Sequence, residues 1–566
     1  MKFSVECGLT GAIAAIALAG CGAGDPGIQT QESPPVVDER PNILLIVADD
    51  MGYTDLGSFG SEISTPNLDE LAYGGIRFTN FHAAPVCAPA RAMLLSGMDN
   101  HEAGIGSMNI KRFFDNGAEP VQTATGYGQP GYEGYLSYRV AALPEVLRDA
   151  GYHTYMAGKW DLGRALVDET NPAARGFESS FVQTTGTTLH LRPADGGAHG
   201  GIQRADPLVY RENWDVVASL PEDYFSTEVF ADKIIEYIDA GRNDGRPFFA
   251  YLALTAPHWP LQVPDDWLDR FGGRYDEGYD EIRERRMRRA GELGILPPHT
   301  DMEGYQRRST PWTELDEAGR AEQARMMEIY AAMVANMDYH VGRLVEHLRN
   351  AGEFDNTFIL FMSDNGASGG APAGFAEGYD NSLANMGRRD SFIEYGRGWA
   401  EAATAPFRDV KGSMAEGGVL AAAFATHPSV TNGGGISREY LTMQDVMPTL
   451  LQLAGAEAPT GEYNHRPVLP LRGESFLDHL QRGASPVHAS DEAIGWELHG
   501  QRALVRGPWK LLWQPAPDEE SRWELFELVN DPFERNDLSA QHPELTQELI
   551  DAWNRYAEDV GVAMGE

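Results

Sequence analysis

The sequence predicts an α/β protein, with a large mixed, mostly parallel sheet sandwiched by helices and a smaller C-terminal domain of antiparallel sheet plus a terminal helix. Three observations carry this expectation. Three apolar runs of strand length stop abruptly at polar residues, segments of helical spacing lie between them, and the C-terminal part changes to short strand patterns followed by one amphipathic helix. With 566 residues, 42% of them hydrophobic, the chain exceeds one small domain.

In chain order, "PNILLIVADDMGY" is apolar from Ile43 to Val47 and ends at Asp49 and Asp50, the pattern of a strand buried on both faces. "TEVFADKIIEYI", from Thr227, has helical spacing. "PFFAYLALTAPHWP" is the second strand and delivers His258 and Trp259. "MMEIYAAMVANMDYHVGRLVEHL", from Met326, is again helical, and "TFILFMSDNGA" is a third strand ending in Asp364 and Asn365. Alternation of this kind makes a largely parallel sheet, and such sheets bind ligands beyond the carboxyl ends of their strands. The three polar clusters are therefore expected in one crevice. Asp49, Asp50, Asp364 and Asn365 form an all-oxygen set suited to a hard divalent cation, calcium or alternatively magnesium, rather than zinc. The competing reading is that "DD" and "DN" only start turns.

Toward the C-terminus, "RALVRGPWKLLW" and "WELFELVND" read as antiparallel strands. "PELTQELIDAWNRYA" places Leu545, Leu549, Ile550, Trp553 and Tyr556 on one stripe of a helix starting after Pro543. The expected organisation is residues 1–21 a signal, 22–40 a flexible tether rich in Pro, Gly and polar residues, 41–470 the main domain and 471–566 the small one.

The signal is an apolar run from Leu9 to Ala19 behind Lys2, closing with "LAGC", Leu18 to Cys21. It resembles a bacterial lipoprotein signal cut before Cys21. The expectation is an exported bacterial lipoprotein at the periplasmic face of a membrane, held only by lipid on Cys21; a soluble periplasmic or secreted protein is the alternative. The formal charge of -39 makes nucleic acid and anionic membrane surfaces poor partners and opposes large polyanions.

Of three cysteines, Cys7 and Cys21 belong to the signal, so Cys87 is alone in the mature body and no disulfide forms. It lies in "PVCAPARAMLLSG", just before Pro89 and the apolar run Ala92–Leu95 where a helix is expected to begin. The free N–H groups there would face an anion. A soft thiol is a poor companion for a hard cation, so an unmodified Cys87 beside this oxygen cage makes little chemical sense.

"CAPAR" fits the Cys-x-Pro-x-Arg signature of type I sulfatases. "PNILLIVADDMGYTDLGSFG", "TPNLDELAYGGIRFTNFH", "GYHTYMAGKW", "LALTAPHWP", "FMSDNGA", "FRDVKGSMAEGG", "DVMPTLLQLAG", "GPWKLLW" and "ELFELVNDPFERNDLS" also resemble that family, in its order. From Pro41 onward the chain is similar to the bacterial arylsulfatase branch, of alkaline-phosphatase-like fold. The resemblance implies that a maturation enzyme oxidises Cys87 to 3-oxoalanine (formylglycine), whose hydrate is the nucleophile. It also implies that Asp49, Asp50, Asp364 and Asn365, with the modified Cys87, hold calcium. Arg91 would steady residue 87, and Lys159, His258 and Lys411 would hold sulfate and assist the leaving oxygen.

The implied activity is hydrolysis of small aryl or alkyl sulfate esters. A phosphonate monoester or phosphodiester hydrolase is the second enzyme reading, and a noncatalytic lipoprotein that captures sulfated ligands is the third. Two positions depart from the family. Asp161 in "GKWDLG" replaces the usual His, which in the family touches the modified cysteine and the sulfate, and Leu420 replaces an Arg. His190 or His199, in "TTGTTLHLRPADGGAHGG", is the candidate substitute for the missing imidazole.

Overall fold

The run Ile43–Val47 lies inside the strand Asn42–Ala48, every residue of which is buried. Its side chains alternate between two cores: Leu44, Ile46 and Ala48 enter one, and Ile43, Leu45 and Val47 the other. The first core includes the helices Ser226–Gly241 and Glu317–Ala351, through residues such as Phe230, Ile234, Met333 and Val341. The second includes the helices Cys87–Ser96, Leu143–Asp149 and Val446–Leu453, through Leu94, Leu147 and Leu450. Apolarity on both faces is what a sheet covered by helices on both sides demands.

The structure, a computed structural model, describes residues 40–108, 129–163, 167–184, 186, 188–193, 196–197, 210–298, 300–370, 378–428, 434–515 and 521–564. The expected signal, the lipid-bearing Cys21, the tether up to residue 39 and His199 lie outside the described residues. No described helix is long and apolar enough to cross a membrane.

Among the described residues, ten strands form the main sheet. Its five central strands run Thr357–Ser363, Asn42–Ala48, Phe248–Ala253, His153–Lys159 and Ser179–Gln183, all parallel. Antiparallel additions make it mixed at both sides: Ala423–Thr426 pairs with Thr357–Ser363, and the hairpin Tyr210–Val216 extends the other edge. The sheet is thus the large, mostly parallel one expected.

A second, antiparallel sheet has four strands, Ala493–Leu498, Gln501–Arg506, Trp509–Trp513 and Trp523–Glu527. The first of these adds to the strands read from the sequence. The helix Pro543–Val560 covers the sheet, with Leu549 and Trp553 buried against Leu504, Leu511 and Leu525 and with Leu545, Ile550 and Tyr556 at the margin. Asp38–Glu566 form one compact unit.

One helix differs in its start. The helix expected around Pro89 begins at Cys87 itself, with Val86 extended as its N-cap. Pro89 then occupies the third position of the first turn, where its missing N–H would have had no partner within the helix.

Candidate active site

The strand register explains why distant residues meet. Val47 stands opposite Ala253 on one side and Met362 on the other, and Gly158 stands opposite Ala253 across the next pairing. The four strands therefore end at one level. Just beyond it, Asp49 N donates to Ala256 O at 3.1 Å and Asp364 N to Ala48 O at 3.1 Å, stitching the strand exits together. Gly158 has no substitute here, because a Cβ on it would lie 1.8 Å from Ala253 O. Asp50 adopts a left-handed backbone, φ 65°, an uncommon conformation outside glycine that turns the chain directly after Asp49.

Cys87, in the first turn of its helix and 5% exposed, lies 3.2 Å from Asp49 Oδ1, 3.5 Å from Asp50 Oδ1 and 3.3 Å from Lys411 Nζ. Burial pushes its pKa well up, and the Asp364 and Asp49 carboxylates push it further than Lys159 and Lys411 draw it back. Burial and the carboxylates thus disfavour the thiolate at this position.

Four cationic or basic groups surround it. Arg91, wholly buried, donates from Nε to Asp364 Oδ2 at 2.9 Å, with a second nitrogen 2.8 Å from the same oxygen, and reaches Lys159 O at 3.2 Å and Tyr251 OH at 3.4 Å. Lys159 Nζ bonds both oxygens of Asp49 at 3.0 and 2.7 Å, and Lys411 Nζ both oxygens of Asp50 at 2.6 and 2.7 Å. Burial opposes both ammonium charges, yet Asp49 holds the Lys159 pKa well above its ordinary value and Asp50 does the same for Lys411. Burial would likewise raise the two carboxylates. Lys159 leads the opposing charges that bring Asp49 below its usual range, and His258 and Lys411 do so for Asp50. His258 Nε2 lies 3.4 Å from Asp50 Oδ2, and burial lowers the imidazole pKa more than Asp50 raises it.

The donor set fits a hard cation. Ligand atoms of Asp49, Asp50, Cys87 and His258 lie within 4.8 Å of one another. Asn365 Nδ2 donates to Asp50 Oδ1 at 2.8 Å and to Gly366 O at 2.9 Å, while its Oδ1 is buried with no hydrogen-bond partner. Such an acceptor is costly unless something electropositive joins it. Asp364 completes the group, its Oδ1 accepting from Asp50 N at 3.2 Å. His258 stands nearer to this set than the sequence reading placed it.

Asp161 is buried, left-handed at φ 55°, with Oδ2 3.9 Å from Lys159 Nζ. It sits beside the cluster, next to Lys159. His190 does not take the place of the missing imidazole. It is buried rather than exposed: Nδ1 is bonded to Ser226 Oγ and Nε2 to the backbone oxygen of His258, both at 2.9 Å. It braces the His258 segment, and burial lowers its pKa to about 4, so it is a neutral prop. Leu420 is buried and pairs with His82 in an isolated antiparallel bridge, a supporting position. Tyr251, which meets Arg91, was not singled out from the sequence. Its only signal was a hydroxyl on an otherwise apolar buried strand.

A family model described as Sulfatase matches residues 41–456. An uncharacterised sulfatase of Schizosaccharomyces pombe is 42% identical over 93% of this chain and 94% of its own length. The arylsulfatase of Klebsiella aerogenes is 38% identical over 77% of this chain and 91% of its own. Among solved structures, Ps i-CgsB in complex with a neocarrahexaose superimposes with a TM-score of 0.64 at 24% identity, over 93% of this chain and 94% of that one, a likeness of fold. With the geometry above, these findings establish that the chain belongs to the sulfatase family, enzymes of sulfate-ester hydrolysis built on the alkaline-phosphatase-like fold.

Proposed function

We propose that the protein hydrolyses small aryl or alkyl sulfate esters to an alcohol and inorganic sulfate, with Cys87 oxidised to formylglycine and calcium held by Asp49, Asp50, Asp364 and Asn365. The observation that carries this is a buried thiol wedged between two carboxylates, next to the partnerless Asn365 Oδ1. When present, the hydrated aldehyde supplies an oxygen nucleophile and the divalent cation neutralises charge beside it.

The chain's own residues supply the rest. Lys159, held on Asp49, and Lys411, held on Asp50, are the ammonium ions that bind the sulfate oxygens. In the transition state the bridging oxygen gains negative charge, so cations at that oxygen lower the barrier more than they stabilise the bound ester. Lys411, 3.3 Å from the residue-87 side chain, is assigned to that oxygen. Lys411, kept an ammonium by Asp50, is the group that donates to the departing alcohol, while His258, its pKa lowered by burial, is a neutral member of the cluster with Nε2 3.4 Å from Asp50 Oδ2. Arg91 locks Asp364, so the cage is preorganised.

The Klebsiella arylsulfatase supports an aryl leaving group, and the charge of -39 favours small monosulfates over polymers. "LAGC" supports export with a lipid anchor at Cys21, and "CAPAR" supports a formylglycine-generating enzyme as maturation partner. The test is mass spectrometry of the peptide spanning Cys87, after thiol alkylation, from protein made together with such an enzyme. The aldehyde mass is expected. Complete alkylation of Cys87 in an active preparation refutes the reading.

A further inference from the structure

Lys411 sits on a loop whose outer side is held by the C-terminal sheet. Glu524 pairs with Arg408 at 2.9 Å at one end of the loop. Lys510 Nζ donates to Glu416 Oε1 at 2.6 Å, and Glu416 N donates to Glu534 Oε2 at 2.8 Å, at the other. Between them, Gln501 spends both atoms of its amide on the backbone next to Lys411. Its Nε2 donates to Gly412 O at 2.5 Å, and its Oε1 accepts from Met414 N at 3.3 Å. Gln514 Nε2 donates to Ser413 Oγ.

The inner side of the loop is held by the active-site segments. Lys411 N donates to Ala367 O at 3.0 Å and Gly412 N to Pro85 O at 2.8 Å, tying it to the chain after Asn365 and the chain before Cys87. Gly412 is exposed and left-handed, φ 87°, and a Cβ there would meet nothing within 4 Å. A glycine in open space is held by hydrogen bonds alone, because it has no side chain to pack. Its amide is fixed by the Cys87 segment and its carbonyl by Gln501.

We propose that Gln501 is a positioning residue: from the C-terminal sheet it fixes the Gly412–Met414 backbone and thereby holds the Lys411 ammonium against residue 87 and Asp50. The C-terminal sheet is then part of the catalytic apparatus rather than a cover for the cleft. This inference rests on the assignment of Lys411 to the leaving oxygen. A long side chain delivers its charge accurately only if its backbone is fixed, and errors of about 1 Å at such a group cost up to about a hundredfold in rate.

The experiment compares Gln501→Ala, Gln501→Met, Lys411→Ala and the Gln501→Met/Lys411→Ala double variant in the full-length matured enzyme, on 4-nitrophenyl sulfate and phenyl sulfate. Methionine keeps the side-chain volume and removes both hydrogen bonds, so it decides the matter should alanine impair folding. The expected result is a fall of about tenfold in kcat with KM nearly unchanged. The fall should be larger for phenyl sulfate, whose leaving oxygen needs the cation more, and should nearly vanish when Lys411 is already alanine. Wild-type kcat in Gln501→Met, or a loss equal for both esters and fully multiplicative with Lys411→Ala, overturns the proposal. Unchanged turnover in Lys411→Ala alone refutes the assignment of Lys411, and this inference with it.

Discussion

Two buried imidazoles sit among carboxylates in this molecule and are held in opposite states. His101 lies between Asp99 Oδ1, 2.8 Å from Nδ1, and Glu497 Oε2, 2.9 Å from Nε2. Tyr556 OH donates to the remaining oxygen of Asp99 at 2.7 Å and Gly500 N to that of Glu497 at 2.7 Å, so every polar atom of the four side chains is bonded. Burial works against the imidazolium, but the hydrogen bonds to Asp99 and Glu497 win and raise its pKa to about 9. At His258 burial wins, with the neighbouring lysines set against the pull of Asp50 and Asp49. The first cluster is closed and ties the main body to the C-terminal sheet and terminal helix. The second mixes like and unlike charges around a thiol and an unused amide oxygen. Saturated polarity supports a fold, whereas spare capacity in a buried site is held ready for a ligand.

The largest expected effect separates the two regions outright. Cys87→Ala should abolish turnover while leaving the thermal midpoint nearly unchanged, since it removes only a small thiol. His101→Ala should cost about 3–5 kcal/mol of stability, because it strands two buried carboxylates, yet leave kcat of the folded fraction intact. Denaturant titration alongside single-turnover kinetics measures both. Loss of chemistry in a stably folded His101→Ala variant would erase the distinction.

The pH dependence of stability sharpens it. His101 has a folded pKa of about 9 against 6.5 for the unfolded group, so its contribution is fully present below about pH 6.5 and is lost as pH rises through about 9. Unfolding free energies measured from pH 6 to 10 should fall across that window, and His101→Gln should flatten the fall.

The smallest effect concerns selectivity. Asp161 lies 3.9 Å from Lys159, the lysine proposed to bind the substrate anion, and would add a negative charge there. A phosphate monoester carries up to one more charge than a sulfate monoester. One extra charge at roughly 8 Å and an effective dielectric of 20 is worth about 2 kcal/mol before screening. Asp161→His should therefore raise the ratio of phosphate to sulfate monoester hydrolysis by about tenfold, read from kcat/KM on paired substrates. An unchanged ratio makes Asp161 a bystander.

The sequence was most legible where one chemistry dominates a stretch. Runs such as Ile43–Val47 and Phe358–Met362 can only be strands buried on both faces, and the residues ending them face one crevice because the strands pair in register. Lys159 and Lys411 came from resemblance, since nothing local marks a lysine as belonging to a site. Less legible were features made by distant contacts. His190, in a polar Gly-rich segment, reads as solvated until Ser226 and the His258 backbone close over it. Gln501 matters only through a loop about ninety residues earlier in the chain. The strand Ala493–Leu498 carries Gly495 and a buried Glu497, which interrupt its apolar pattern.

The burial of Cys87 also imposes an order in time. Among the described residues its side chain is 5% exposed and is covered by both carboxylates and by Lys411. Under the proposed oxidation, the maturation enzyme would act while "CAPAR" is still extended and before the four strand exits close. Under the proposed maturation, folding is the deadline: a chain that folds first would keep a buried thiol in place of the aldehyde.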